Sequence, residues 1–193
     1  MKRKAMPNNN VIIGIVGEIA SGKGVAAGYL KQKYGAAVFK FSTSMRDVAA
    51  RLYLDPTREN IQKVSTVLRA GFGDDIFAKV MARDAAASNA PLIITDGIRR
   101  PSDIVELAKL PNFHLIAIAA DERTRYERVK TRNENADDAD KTWKDFQKDA
   151  TAETETRIRD IAAKAEYTVQ NNATINDLHQ KLDAVITKIK NAA

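Results

Sequence analysis

The chain has 193 residues, 44% of them hydrophobic, with no cysteine and a formal net charge of +6. This length and apolar content suffice for a compact domain with a core, and the lack of cysteine excludes a disulfide framework, a thiolate metal site and a cysteine nucleophile. No apolar stretch approaches the roughly 18–20 residues that span a bilayer, and the basic start has no signal-peptide core. We therefore expect a cytoplasmic protein without a membrane partner, preceded by a flexible arm at 1–10.

The positive charge favours anionic partners, but it is unevenly distributed. Residues 134–155 contain eight acidic residues and three lysines, which gives this segment a net charge of −5. A basic body with an acidic insert favours a phosphate pocket beneath a mobile flap. Aromatic-rich basic segments, which are typical of nucleic-acid binding, are missing, so nucleic acid is not an expected partner.

Apolar strands alternate with helical patterns along the chain. The first strand is the continuous apolar run V-I-I-G-I-V, the kind that is buried on both faces of a parallel sheet. Strands are predicted at 11–16, 36–41, 92–95, 115–119 and 167–169. Helices are predicted at 25–34, 45–54 (capped from Ser42 to Ser44), around 61–68, at 75–88, 102–110, 122–132 and 142–163, and at the end of the chain. This alternation predicts an α/β fold, a parallel sheet sandwiched by helices, in one domain over 11–193.

The strongest motif is G-E-I-A-S-G-K-G at 17–24, which directly follows the first strand and directly precedes a helix. It fits the G-x-x-x-x-G-K phosphate loop, in which backbone N–H groups and a helix N-terminus surround phosphates and the lysine reaches their outer oxygens. A chance lysine in an ordinary strand–turn–helix is the alternative. The residues expected to hold the nucleotide here are Gly17, Ala20, Ser21, Gly22, Lys23, Gly24 and Val25.

The motif lacks the Ser or Thr that normally follows the lysine as a magnesium ligand, because Gly24 occupies that position. Asp96 ends a predicted strand, and the carboxyl ends of parallel strands face the ligand crevice of α/β proteins. We expect Asp96 to hold Mg²⁺ through water, to orient the acceptor or to act as a general base. A helix cap or turn aspartate is the alternative.

Four arginines are candidates for phosphate contacts, since a guanidinium binds phosphate with two parallel hydrogen bonds. Arg99, just after Asp96-Gly97, and Arg46, at the start of a helix, are predicted to bind the acceptor. Arg128 and Arg132 lie four residues apart on one helix face before the acidic insert, where they can close onto ATP phosphates as catalytic residues. For Arg46, Arg128 and Arg132, the alternative is an ordinary position on a solvated helix surface.

At these residues the chain resembles the nucleoside-monophosphate-kinase-like branch of P-loop proteins, and most closely an archaeal-type family of dephospho-CoA-kinase-like kinases. The matching segments are G-E-I-A-S-G-K-G, S-T-S-M-R-D, I-I-T-D-G-I-R, E-R-V-K-T-R and the acidic D-D-A-D-K-T-W-K-D-F stretch. The resemblance implies a three-layer P-loop NTPase fold with strand order 2-3-1-4-5, an acceptor-binding insert at 44–90 and a lid at 133–155. It also implies ATP and Mg²⁺, with Asn171 and Asn172 near the adenine.

The leading interpretation is a kinase that transfers the γ-phosphate of ATP to a nucleoside or deoxynucleoside monophosphate. Dephospho-CoA kinase is the enzymatic alternative, in which Asp96 would matter more because a ribose hydroxyl must lose a proton. A regulatory P-loop ATPase is the alternative of another class, favoured by Gly24. The sequence is compatible with a monomer or a homodimer.

Overall fold

The computed structural model describes residues 10–132 and 138–192. Its five strands are β1 (Val11–Val16), β2 (Ala37–Lys40), β3 (Leu92–Asp96), β4 (Phe113–Ala119) and β5 (Tyr167–Gln170). They form one parallel sheet in the order β2-β3-β1-β4-β5. The predicted α/β fold and its strand order 2-3-1-4-5 are therefore confirmed.

Eight helices are described between and after the strands. They are α1 (Lys23–Tyr34), α2 (Phe41–Arg51), α3 (Arg58–Phe72), α4 (Ile76–Ala87), α5 (Glu122–Arg132), α6 (Trp143–Ala150), α7 (Glu153–Ala162) and α8 (Ile175–Ala192). Two 3₁₀ turns, Pro101–Asp103 and Leu107–Lys109, stand where a single helix was predicted at 102–110. The insert expected at 44–90 corresponds to most of α2 together with α3 and α4.

The backbone contacts group the chain into two compact units, so the single domain over 11–193 stays a prediction. The first unit contains the chain up to Gly14 with 30–98 and 102–114. Its core includes a cluster of Ile12, Ala85 and Ile93, against which Phe39 and Phe113 pack. The first unit therefore positions the ends of β2 and β3, where Asp96 lies.

The second unit contains residues 15–29, 99–101 and 115–193. One of its buried clusters is Tyr126, Val129 and Phe146, and Ile19, Ala20 and Trp143 pack against it. Trp143 stacks on Phe146 with ring centroids 5.8 Å apart, which joins the start of α6 to its own next turn. The aromatic packing of α6 against α5 therefore supports the loop that contains Ile19.

Two predicted helix boundaries are wrong. Helix α2 starts at Phe41 and not at residue 45, because Phe41 is buried at the start of the helix. Its N-cap residue is Lys40, whose side chain makes no capping hydrogen bond. The helix predicted at 142–163 is two helices. Thr151 Oγ1 donates to the Lys148 carbonyl at 2.7 Å and the Ala152 N–H donates to the Asp149 carbonyl at 3.0 Å, so local bonds end α6 before α7 begins.

Two predicted segments fall partly outside the described residues. These are the arm at 1–10, of which only Asn10 is described, and the lid at 133–155, of which 138–155 are described. Within the described ranges, no helix combines the length and the apolar character that a membrane span requires.

Candidate functional site

The G-E-I-A-S-G-K-G segment forms a tight loop between β1 and α1, within the second unit. Gly22 has φ +103°, a backbone conformation that only glycine adopts without strain. A Cβ atom on Gly17 would lie 2.3 Å from the Ile118 carbonyl oxygen and 2.7 Å from Ser21 Oγ. Both glycines are thus required by the shape of this loop.

Lys23 is the first residue of α1, and its side chain folds back over the loop. Its Nζ donates to the Gly17 carbonyl at 2.6 Å and to the Glu18 carbonyl at 2.8 Å. The lysine amine is therefore held at the first two residues of the loop, and Lys23 itself begins a twelve-residue helix. An amine and a helix N-terminus in one short segment provide the positive charge that a phosphate group requires.

One buried hydroxyl lies within the loop. Ser21 is 1% exposed, and its hydroxyl has no hydrogen-bond partner among the described residues. A Cβ atom on Gly17 would lie 2.7 Å from this hydroxyl oxygen, so the hydroxyl lies against the loop backbone at Gly17. The open positions of the loop are Gly24 and Val25, which are exposed at the start of α1.

The loop does not provide the usual hydroxyl ligand for magnesium. Gly24 has no side chain, and a Cβ atom built there has no neighbour within 4 Å. Among the described residues, no group of three or more His, Cys, Asp or Glu side chains is arranged to hold a metal ion.

An ion-pair network fixes the first half of the loop. Glu18 Oε1 lies 3.2 Å from Arg125 Nη2 and 3.0 Å from Arg159 Nη1, so one carboxylate joins α5 and α7 to the loop. The Arg125 side chain is only 5% exposed and also donates to the Ala120 carbonyl at 3.2 Å. Glu155 accepts the Ile19 N–H at 3.2 Å. Sequence reasoning did not select Arg125, because one arginine among several on a charged helix gives no sign of burial.

Asn171 connects the second half of the loop to the end of β5. Its side-chain Nδ2 donates to the Ser21 carbonyl at 2.8 Å, and its own carbonyl accepts from Arg128 Nη2 at 2.9 Å. The side chain of Asn172 accepts the Asp121 N–H at 2.8 Å. Of the two asparagines that the resemblance placed near the adenine, Asn171 contacts the phosphate loop.

The two candidate lid arginines have different surroundings. Arg128 is half-buried, and its Nη1 atom is fully buried without a hydrogen-bond partner among the described residues. Arg132, the last residue of α5, pairs with Asp138 through Nε–Oδ2 and Nη2–Oδ1 distances of 2.9 and 3.2 Å. Asp138 is fully buried. Arg128 is thus joined to the phosphate loop through Asn171, whereas Arg132 is joined to the described part of the predicted lid.

The remaining candidates lie in different parts of the chain. Asp96 ends β3, and Lys40, which ends β2, is its partner in the strand register. Arg46 is exposed on α2 in the first unit. Arg99 belongs to the second unit and is exposed, and the neighbouring Arg100 is less exposed. Arg128 and Asn171 therefore contact each other and Asn171 contacts the loop that contains Lys23, whereas Asp96 and Arg46 belong to the first unit.

A small pocket lies at the carboxyl end of β2 within the first unit. Lys40, two hydroxyls from α2 and two carboxylates line its polar side. Its lining residues are Val38, Phe39, Lys40, Thr43, Ser44, Asp47, Met81 and Asp84. Lys40 was missed by sequence reasoning, because a strand-ending lysine is not part of any phosphate-binding pattern.

A buried ion pair stabilises the helical part of the first unit. Arg69 Nη2 in α3 lies 2.6 Å from Asp103 Oδ1, and the two side chains are 5% and 3% exposed. Arg69 Nη1 also donates to the Asp74 carbonyl. Sequence reasoning missed this pair, since its members are separated by 34 residues.

The chain is similar to known proteins in sequence and in fold. The family model described as an AAA domain matches residues 16–147. A UPF0200 protein of Hyperthermus butylicus is 24% identical over 181 residues, which are 94% of this chain and 96% of the relative. A UPF0200 protein of Methanoculleus marisnigri is 34% identical over 127 residues, which are 65% of this chain and 69% of the relative.

Among solved structures, shikimate kinase from Bacteroides thetaiotaomicron matches with a TM-score of 0.61 and 12% identity, covering 92% of this chain and 98% of that chain. At this identity the likeness shows the fold alone, a P-loop kinase-like fold. The fold that the resemblance implied is thereby confirmed, and the kinase activity and the dephospho-CoA-kinase-like specificity stay predictions. The chain belongs to the AAA domain family and, by its archaeal relatives, to the UPF0200 proteins.

Proposed function

We propose that this protein is an ATP-dependent kinase that transfers the γ-phosphate to a nucleoside or deoxynucleoside monophosphate. The observation that carries the proposal is the phosphate loop, in which Gly22 at φ +103° precedes Lys23 at the start of α1. Such a loop binds the phosphates of a nucleoside triphosphate. The kinase-like fold supports transfer to an acceptor over simple binding.

Lys23 is the proposed catalytic cation. In the structure its Nζ bonds two loop carbonyls, and we expect it to exchange these for the outer phosphate oxygens of ATP. Its charge would then stabilise the negative charge that develops on the transferred phosphoryl group. Mg²⁺ would neutralise charge on the phosphates when bound, with water and phosphate oxygens as its main ligands and Asp96 as the proposed protein contact through water.

The arginines have proposed roles that follow from their positions. Arg46 and Arg99 are exposed, and their proposed role is to bind the acceptor phosphate through the guanidinium group. Arg132 is proposed to move with the lid, since it pairs with the buried Asp138. Arg128 is proposed to act near the phosphates, because its network reaches Ser21 through Asn171. Asn172 remains a proposed contact for the nucleotide base.

The second candidate is transfer to a hydroxyl group, as in dephospho-CoA kinase. The pocket at the end of β2 favours it, since Thr43, Ser44, Asp47 and Asp84 provide hydroxyls and carboxylates and only Lys40 provides positive charge. Such a lining suits hydroxyl groups better than a second phosphate. Asp96 would then act as the general base that removes the hydroxyl proton.

The test is ATP consumption with Mg²⁺ against a panel of each NMP, each dNMP, dephospho-CoA and no acceptor. Stimulation by one acceptor supports the kinase and separates the two candidates. Lys23→Ala is expected to remove most of the turnover, and Lys31→Ala, which removes an exposed lysine of the same helix, is the matched control. Equal hydrolysis with and without acceptors would favour the regulatory P-loop ATPase instead.

A further inference from the structure

We propose that Asn171 is a positioning residue that sets the orientation of the Ser21–Gly22 peptide in the phosphate loop. The inference rests on the proposed function, because it assigns Asn171 a role in binding nucleotide phosphates. It differs from the role near the adenine that the resemblance implied for the same residue. The evidence is a set of short contacts within the second unit.

Asn171 is itself held rigidly. Its N–H donates to the Ala119 carbonyl at 2.7 Å, which continues the pairing of β4 with β5 by one residue. Its carbonyl accepts from Arg128 Nη2 at 2.9 Å, and the residue is 5% exposed. The side chain therefore extends from a fixed backbone at the end of the sheet, which is the kind of support that keeps a site in one geometry.

The side-chain amide fixes one peptide of the loop. Asn171 Nδ2 donates to the Ser21 carbonyl at 2.8 Å, and this bond is buried. In a trans peptide the C=O and N–H bonds point in opposite directions. When Asn171 holds the Ser21 carbonyl on its own side, the Gly22 N–H points to the opposite side. That N–H is one of the loop donors that a phosphate-binding loop directs at its ligand.

The same contact explains the requirement for glycine at position 22. A Cβ atom on Gly22 would lie 2.2 Å from Asn171 Nδ2, so any side chain there would displace the amide. Gly22 and Asn171 are thus in direct steric contact, although 149 positions separate them in the sequence. Asn is also required chemically, because an aspartate cannot donate to the Ser21 carbonyl and would place negative charge beside the phosphates.

The first variant is Asn171→Asp, which keeps the shape, removes the donor and adds a negative charge. Asn171→Ala is measured beside it, because it removes the donor without adding charge. Asn112→Asp is the matched control, since Asn112 Nδ2 donates to the Asn10 carbonyl at 3.0 Å in the first unit. Binding of ATP and of inorganic tripolyphosphate would be measured by calorimetry in the intact protein. We expect Asn171→Asp to weaken both ligands by about tenfold or more, the effect of losing a buried donor and leaving its acceptor unpaired.

Tripolyphosphate distinguishes the two possible roles of Asn171. Because it has no base, a loss for ATP with unchanged tripolyphosphate binding would place Asn171 at the adenine and overturn the positioning role. Binding of both ligands by Asn171→Asp as tightly as by Asn112→Asp would also overturn it. If the wild-type protein binds neither ligand, the proposed function fails, and the role of Asn171 fails with it.

A second comparison serves if Asn171→Asp does not fold, as judged by circular dichroism. Asn171→Ala removes the same donor, and Asn112→Ala is its matched control. We expect Asn171→Ala to weaken tripolyphosphate binding by about tenfold, because the buried Ser21 carbonyl is left unpaired. Tripolyphosphate affinity equal to that of Asn112→Ala would contradict the inference.

Discussion

The ion pair between Arg69 and Asp103 gives a sharp test of how the helical insert is held in place. Asp103→Asn keeps the shape of the side chain and removes its charge. The guanidinium of Arg69 would then remain buried, 5% exposed, and would lose its carboxylate partner. Its principal contacts would be the new amide oxygen, the Asp74 carbonyl and the ring of Phe77, whose centroid lies 5.0 Å from the guanidinium carbon. We expect a large loss of stability in the first unit.

The magnitude follows from the burial of both side chains. Removing one partner of a buried pair costs about 3–5 kcal/mol, because the other charge stays desolvated without compensation. The amide oxygen introduced by Asp103→Asn would still accept from Arg69 Nη2, so we expect a loss of about 2–4 kcal/mol in the free energy of unfolding. With a urea m-value of about 2 kcal/mol/M, the midpoint would fall by roughly 1–2 M.

The assay is urea unfolding followed by far-UV circular dichroism. Glu59→Gln is the matched control, since it breaks an exposed pair with Lys63 whose side chains are 75% and 68% exposed, and it should cost about 0.5 kcal/mol or less. Arg69→Met combined with Asp103→Leu should recover most of the lost stability, because an apolar pair has no desolvation penalty. If Asp103→Asn is as stable as Glu59→Gln, the reasoning about burial is wrong.

Three further predictions concern the second unit and its loop. Glu18→Gln leaves the buried Arg125 without its carboxylate and should lower the free energy of unfolding in urea by about 1–3 kcal/mol. Glu59→Gln is the control, and an equal effect of the two variants would contradict the role of Glu18. Gly24→Ser adds a hydroxyl at a position where a Cβ atom has no neighbour within 4 Å. It should lower the Mg²⁺ concentration that half-saturates ATP consumption. An unchanged Mg²⁺ concentration at half-saturation would show that the metal binds elsewhere. The hydrogen bond from the Thr142 hydroxyl lowers the pKa of Asp145 below its ordinary value of 3.8. The stability that this carboxylate adds to α6 is therefore fully present above pH 3.8. It is lost as the pH falls through the lower pKa of the folded state. Thr142→Ala should therefore flatten the acid limb of an unfolding curve recorded by Trp143 fluorescence, and an identical acid limb in both proteins would refute this linkage.

The parts of the fold that sequence reasoning predicted are those set by local pattern. The apolar run at 11–16 and the spacing of Gly17, Gly22 and Lys23 are contained in a short segment, so both the buried strand and the loop could be identified from it. The alternation of strands and helices fixed the fold class. Strand order came from the resemblance, since the pairing of Ala119 with Gln170 joins residues far apart in the chain.

The parts that sequence reasoning missed depend on distant contacts. Asn171 reaches Ser21 across 150 positions, and Glu18 meets Arg159 across 141, and neither pair has a sequence signature. The start of α2 was placed too late, because the serines at 42 and 44 suggested a cap while burial of Phe41 set the actual start. Propensity gives the local preference, and tertiary packing overrides it at such positions.

The central claim is that the loop around Lys23 binds a nucleoside triphosphate. A calorimetric titration of ATP with Mg²⁺ into the wild-type protein, Lys23→Ala and Lys31→Ala tests it most directly. The account predicts one ATP per chain in the wild type and in Lys31→Ala, and affinity at least about tenfold weaker in Lys23→Ala, which loses a charge-assisted hydrogen bond to phosphate. No binding by the wild type, or equal affinity in Lys23→Ala, would contradict it.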